Sequence, residues 1–379
     1  MKKILSMFAA AMLIAACSNE DGTSEGYQSS ASPITFEVTD NGALTRAVGA
    51  INSSTELPAK GFGVFACYTG KLKYENTTVS PDFMYNQPVT YSSGVWNYAP
   101  LKYWPNENGE YVSFFAYAPY EESPADDGRC IIDMSKWDDK GDPWVNYRLA
   151  ANPFDDNATA ASYPQVDLLY AVNEGSTTDA SDDAPWLDQV KPAVDSRVKF
   201  TFKHALACIG DTITLKMTDG LSELLANYAT INVTDVTIVY KNLTNKARLV
   251  LKCTTVPDWR EIISGELTVS RTLNLTGPWT PTTTAAAISE GKGLFYIPLQ
   301  VQGTEAPYAE VTIKYTVEIL ANGQSFDGEA TGSFPMSLNA MEGKSQNIAI
   351  RLGDNIDMRH LIYQLGLDPA TEPSYAPKF

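Results

Sequence analysis

Histidine occurs only twice, at His204 and His360, and cysteine five times, at Cys17, Cys67, Cys130, Cys208 and Cys253. Metal binding or nucleophilic catalysis needs such residues at defined separations. No Cys-x-x-Cys or paired Cys/His spacing is present, so the sequence predicts no zinc site and no bound metal. A relay of histidines has too few members. Carboxylates are more abundant: Asp126-Asp127, Asp138-Asp139, Asp155-Asp156 and Asp182-Asp183 could each offer acid/base chemistry of the kind glycosidases use. All four pairs lie in loop-like sequence, show no recurring acid/base arrangement and do not match the spacing of an EF-hand loop. The expectation is therefore no enzyme, no catalytic residue and no cofactor. Trp137, Trp144 and Trp259 fall in loop-like surroundings, where indole rings either stack on sugar faces or anchor a minor core.

The elements that would position these residues belong to a sizeable globular chain. With 379 residues, 44% hydrophobic and 11% aromatic, there is enough material for two domains with cores, and disorder is excluded. A formal charge of -17, with no clustered Lys/Arg stripe, argues against nucleic acid as a partner.

The first residues read as an address. Met1-Lys2-Lys3 is positive, and Ile4 to Ala16 is an apolar run too short to span a bilayer, so residues 1–16 form a secretory signal. Leu13-Ile14-Ala15-Ala16-Cys17 resembles the lipobox of bacterial lipoproteins, in which the cysteine thiol is acylated and becomes the new N-terminus. Two or more chains such as palmitate, at about 0.8 kcal/mol per buried CH2, anchor a protein to a membrane where one does not. Loss of the signal removes two lysines and moves the formal charge from -17 to -19. Ser18-Asn19-Glu20-Asp21 resembles the acidic export tag of surface-exposed lipoproteins, and residues 17–32 read as a flexible tether.

From Pro33 onward the dominant period is two. In Val311-Thr312-Ile313-Lys314-Tyr315-Thr316-Val317-Glu318-Ile319 the odd positions are apolar or aromatic and the even ones polar, which predicts a half-buried antiparallel strand. Asn322-Gly323 suits a type I' turn, with a return strand over 329–334. Val198 to His204 alternates likewise and places His204 beside Phe200 and Phe202, as a hydrogen-bonded core residue. Many short strands separated by Gly, Pro, Asn and Asp indicate sandwiches. One helix is expected over 221–228, and a long irregular region over 124–162. Cys67 and Cys208 lie in apolar runs that suit buried thiols; disulfides among Cys67, Cys130, Cys208 and Cys253 cannot be assigned from spacing. The acidic, proline-punctuated stretch 179–192 divides the chain into domains at 33–190 and 191–353, with an extension over 354–379.

Three blocks then resemble a known family. Trp96-Asn97-Tyr98, Lys102-Tyr103-Trp104-Pro105 and Val112-Ser113-Phe114-Phe115-Ala116-Tyr117-Ala118-Pro119 form the first; Val166 to Ala171 and Val198 to Ala207 are the others. In this order they are similar to the fimbrillins, subunits of type V pili and related surface lipoproteins. The resemblance implies an all-β fold of two tandem transthyretin-like antiparallel β-sandwich domains. It also implies export as a lipoprotein attached at Cys17, outer-membrane and cell-surface location, and an Arg-specific protease that cuts between Arg46 and Ala47. The cut removes the first strand, 33–39, and a strand from another fimbrial subunit fills the groove, giving an adhesive fimbria. A non-polymerising surface lipoprotein that binds glycans or host ligands is the alternative. The sequence departs from the family pattern after Leu352, where residues 353–367 fit helix or strand spacing and no further clear β segment follows.

Overall fold

A strand without polar alternation must be covered on both faces. Residues 112–118 are such a run. The computed structural model describes residues 32–38, 51, 55–154, 165–172, 187–192, 197–253, 256–273, 275, 277–301, 303–338 and 345–353. In chain order the strands are β1 (Thr35–Val38), β2 (Phe62–Gly70), β3 (Met84–Ser92), β4 (Val95–Asn97), β5 (Tyr111–Ala118), β6 (Ile131–Met134), β7 (Trp144–Arg148), β8 (Leu169–Ala171) and β9 (Arg197–Phe200). They continue as β10 (Phe202–His204), β11 (Ala207–Met217), β12 (Ala229–Val250), β13 (Asp258–Leu273), β14 (Ala286–Glu290), β15 (Leu294–Tyr296), β16 (Tyr308–Ile319), β17 (Ser325–Pro335) and β18 (Gln346–Leu352). Among the described residues the helical elements are short: α1 (Glu56–Lys60), α2 (Asp219–Leu225) and a 3-10 turn over Tyr74–Asn76. The fold is all-β, built of largely antiparallel sheets.

β5 lies inside a six-stranded sheet of order β10-β8-β5-β2-β3-β4. Its alternate residues serve two cores. Phe114 and Ala116, with Phe62, Val64 and Ala66 of β2, face the core that β1 covers. Phe115 and Tyr117, with Phe65 and Cys67, face a second core that continues under Ile209, Leu249 and Trp259. The period of two is thus present but invisible in hydropathy, because both phases are apolar.

The second large sheet is organised by β12, which runs for 22 residues. β13 pairs along one side of it, and β16 then β7 along the other, with β17 and β6 outside them. A third sheet has β11 between β14 and β15 on one edge and parallel β18 on the other. The alternating run 311–319 is β16, with Val311, Ile313, Tyr315 and Val317 buried. Its hairpin partner β17 carries Gly328 directly against the Tyr315 ring, where no Cβ has room. The connection differs from the expected I' turn. Only Gly323 has positive φ, at 66°, and the Asn322 side chain accepts from Gln324 N at 3.0 Å, closing a longer loop.

Two strands, β6 and β7, lie in the region expected to be irregular. They are short, and β7 pairs with β12 about a hundred residues downstream, Trp144 opposite Val250 and Arg148 opposite Lys246. β3 also carries little signal, because Asn86 takes φ 40° at a shift in register and Pro88 interrupts the pattern. The helix begins two residues before its expected start, where Thr218 Oγ1 accepts from Leu221 N at 3.4 Å. Ladders β1–β9, β8–β10 and β7–β12 join residues on either side of position 190.

Cys67, Cys130, Cys208 and Cys253 are all buried, and no disulfide joins them among the described residues. Burial pushes the Cys67 and Cys253 thiols up to about 12 from an ordinary 9.0. At pH 8 their thiolate fraction is then roughly a thousand-fold below that of an open cysteine. Iodoacetamide is expected to label both sites only after unfolding. Mass spectrometry of native and denatured samples checks this, and rapid native labelling would contradict it.

Candidate functional site

Ile34, just before β1, and Phe36 and Val38 within it share one face because an extended chain turns alternate side chains the same way. Ile34 and Phe36 are buried, and Val38 packs half-buried beside them. The strand is held from two sides. It pairs in parallel with β9, from Thr35 opposite Arg197 to Val38 opposite Phe200. On its other side Ile34 N donates to Lys102 O at 2.8 Å, Trp104 N donates to Ser32 O at 3.0 Å, and Pro33 bridges Tyr103. The Tyr98 hydroxyl lies 2.8 Å from Ile34 O.

Beneath the backbone, the Phe36 ring stacks on Phe200 at 5.6 Å and 16°. Phe62 and Phe114 meet it edge-on, each at 6.2 Å, and Tyr98 tilts against it at 5.2 Å. On the outer side Glu37 pairs with Arg197 at 3.1 Å. β1 is therefore a short stave between two backbone edges over an aromatic core. Its absence would leave both edges unpaired and Phe62, Phe114 and Phe200 uncovered. Trp104, Phe114 and Phe200 are core side chains.

Cys17, Arg46 and Ala47 lie outside the described residues, as do Asp155-Asp156, Asp182-Asp183, His360 and the extension 354–379. The chain is nevertheless fixed on both sides of Arg46, at Val38 in β1 and at Ile51. Ile51 is buried, and its N–H donates to Asp167 Oδ2 at 3.0 Å. The same oxygen lies 2.7 Å from His204 Nδ1, with both side chains shut off from solvent. His204 is thus a core residue, as expected from its place beside Phe200 and Phe202, but the expected hydrogen bond is not formed: Nδ1 meets Asp167 as a close polar contact, and neither ring nitrogen has a hydrogen-bond partner among the described residues. Asp167 is the residue that reading by motif passed over. A lone carboxylate inside Val166-Asp167-Leu168-Leu169-Tyr170-Ala171 was the available signal, since a buried acid requires a partner.

The remaining candidates separate. Asp126 binds Arg148 at 2.6 Å and Lys246 at 2.5 Å, Asp127 pairs with Arg129 at 3.3 Å, and Asp139 accepts from Lys136 N at 2.8 Å. They tie loops and strands together. No group of three or more His, Cys, Asp or Glu able to hold a metal ion occurs among the described residues. Trp259 is buried, with its Nε1–H donating to Ala205 O at 2.9 Å, and Trp144 lies 3.9 Å under the Arg248 guanidinium. Trp137 alone of the three is open, at 62% exposure. Trp259→Ala is expected to cost about 3–5 kcal/mol, whereas Trp137→Ala should stay within about 0.5 kcal/mol. Urea unfolding of both variants checks the contrast, and equal effects would refute it.

The described residues form an all-β chain whose first strand lies between two backbone edges over an aromatic core, with Asp126 and Asp127 in ion pairs and Asp139 in a turn. Residues 45–362 match the fimbrillin-like family, and the chain belongs to it. Fimbrium subunit Fim1C of Phocaeicola vulgatus (strain ATCC 8482) is 29% identical over 214 residues, 55% of this chain and 50% of that protein. The chain thus matches about half the length of that relative. A crystal structure of a fimbrial protein from Bacteroides vulgatus ATCC 8482 has the same fold, with a TM-score of 0.58 and 22% identity over 84% of this chain and 95% of that one.

Proposed function

We propose that this protein is a subunit of a cell-surface fimbria that supports adhesion. In this reading it is exported to the outer membrane as a lipoprotein attached through Cys17, cut between Arg46 and Ala47 by an Arg-specific protease, and joined to other subunits by strand exchange at the site β1 fills. The observation that carries the reading is the way β1 is held. It covers an aromatic core between two backbone edges, and the chain is fixed again at Ile51, so Arg46 lies in the one covalent link between stave and body.

The physics follows from that connection. While the link is intact, β1 competes for its own groove at an effective concentration in the millimolar range, which few partners match. Once the link is cut, departure of β1 becomes an ordinary dissociation, and a strand delivered by a neighbour competes on equal terms. The ladder bonds at about 0.5–1.5 kcal/mol each and the inward side chains at about 1.5–3 kcal/mol each are available to either occupant. The groove that receives the strand draws on both sides of position 190, with residues 102–104 on one edge and β9 on the other.

The test is a secreted form lacking the lipid anchor, treated with an Arg-specific protease. Cleavage at Arg46 with growth of oligomers is expected, and Arg46→Ala should remain uncut and monomeric. Assembly of Arg46→Ala in cells at the wild-type level would overturn the reading. The second reading, a lipoprotein that binds glycans without polymerising, rests on Trp137, whose exposed ring is free to stack on a sugar. Glycan-array binding that vanishes in Trp137→Ala, in a protein that is never cut, would favour it.

A further inference from the structure

We propose that the groove under β1 selects its incoming strand by a three-position chemical pattern: an aliphatic side chain, an aromatic ring two residues later, and an acid immediately after the ring. The occupant is an extended segment of another subunit. This rests on the strand-exchange reading above and adds to it a rule of partner choice.

The first position is set by Ile34, which has no exposed surface and sits between the ladder to Lys102 and the hydroxyl of Tyr98. Nothing polar can be lodged there without losing its hydrogen bonds to water. The second is set by the rings around Phe36. One stacks at 16°, two stand edge-on at 82°, and these are the arrangements aromatic quadrupoles favour. An aliphatic residue fills part of the volume but forfeits the ring-to-ring geometry, and a smaller one leaves a cavity that strands β2, β5 and β9 cannot each move to close.

The third position is electrostatic. Glu37 lies opposite Lys199 in the parallel ladder and bonds Arg197 at 3.1 Å, so two cations of β9 flank the outward residue. The chain carries a formal charge of -17, and a cationic edge here runs against that background. It favours a strand with an acid at this place and disfavours one with a lysine. Because Arg197 and Glu37 are 49% and 38% exposed, this preference is modest and salt-sensitive, whereas the aromatic preference is not.

The experiment uses the secreted chain cut after Arg46 and a fluorescent peptide with the sequence of residues 32–40, competed by unlabelled peptides of the same length. The Phe36→Leu peptide is expected to compete at least ten-fold more weakly than the parent, and Phe36→Ala about a hundred-fold more weakly. Glu37→Lys should be a few-fold weaker at low salt, with the gap closing near 1 M salt. In a Phe200→Leu protein the difference between the Phe and Leu peptides should shrink; if that variant does not fold, the comparison on the wild-type protein decides. Entry of the parent peptide with equal competition by Phe36→Leu overturns the selection rule alone. Failure of the parent peptide to enter the cut protein overturns strand exchange, and the rule with it.

Discussion

Phe36→Ala in the uncut chain is expected to lower stability by about 3–5 kcal/mol, the range for removing a fully packed ring. Phe36 is only 4% exposed and touches Phe62, Tyr98, Phe114 and Phe200. Phe62, Phe114 and Phe200 stand on three different strands, β2, β5 and β9, so the space left by the phenyl group cannot close by a small shift of one element. The loss should fall on β1 first. Denaturant unfolding would then show a lower midpoint, and hydrogen exchange at Thr35 to Val38 would quicken more than exchange in β5 or β16. Val38→Ala, at a half-buried position, should cost far less. If Phe36→Ala loses under about 1 kcal/mol, β1 is not integrated into the core and the argument for a stored occupant fails.

The second large effect is expected at Asp167. Asp167→Leu removes the acceptor of the Ile51 N–H and the carboxylate that lies 2.7 Å from His204 Nδ1, leaving both buried polar groups without it. Breaking one partner of such a buried pair costs about 3–5 kcal/mol, whereas replacing both partners with apolar residues of similar size is often close to neutral. Asp167→Leu with His204→Phe should therefore recover a large part of the loss, although the Ile51 N–H stays unpaired. A double-mutant cycle read by urea unfolding measures the coupling. Exchange of the Ile51 amide reports the local consequence, since this bond fixes the chain on the body side of Arg46. A single Asp167→Leu that loses under about 1 kcal/mol would show that the pair is incidental.

Much of the fold was legible in the residues because pleat geometry is local. β16 alternates in the sequence, since one of its faces meets the core and the other meets solvent. β2 and β5 also read as strands, but both their even and their odd residues are mostly apolar, Thr69 and Ser113 being exceptions. Which residue faces which core is decided by the sheet lying between two packed layers. β6 and β7 were illegible for a different reason: β7 gains its hydrogen bonds from β12, far along the chain, and short strands without a neighbour carry little pattern of their own.

The same division runs through the site. Ile34, Phe36 and Val38 could be assigned to one face of a first strand from spacing alone, and the signature blocks identified the family. His204 could be placed in the core by its position on β10. Its partner could not, because Asp167 lies in a different segment and is brought within 2.7 Å only by the pairing of β8 with β10. Trp259 and Trp137 look alike in the sequence, and packing alone makes one an anchor and the other an open ring.

By itself, then, the sequence determined the all-β class, the family and the alternating face of the first strand, because side-chain direction along an extended chain depends on neighbouring residues only. The tertiary structure decided that β1 lies between β9 and residues 102–104, which rings surround Phe36, and that Ile51, Asp167 and His204 meet. Those facts depend on contacts between distant segments, whose energies are settled by the packing of the whole chain and leave no periodic trace in any one stretch of it.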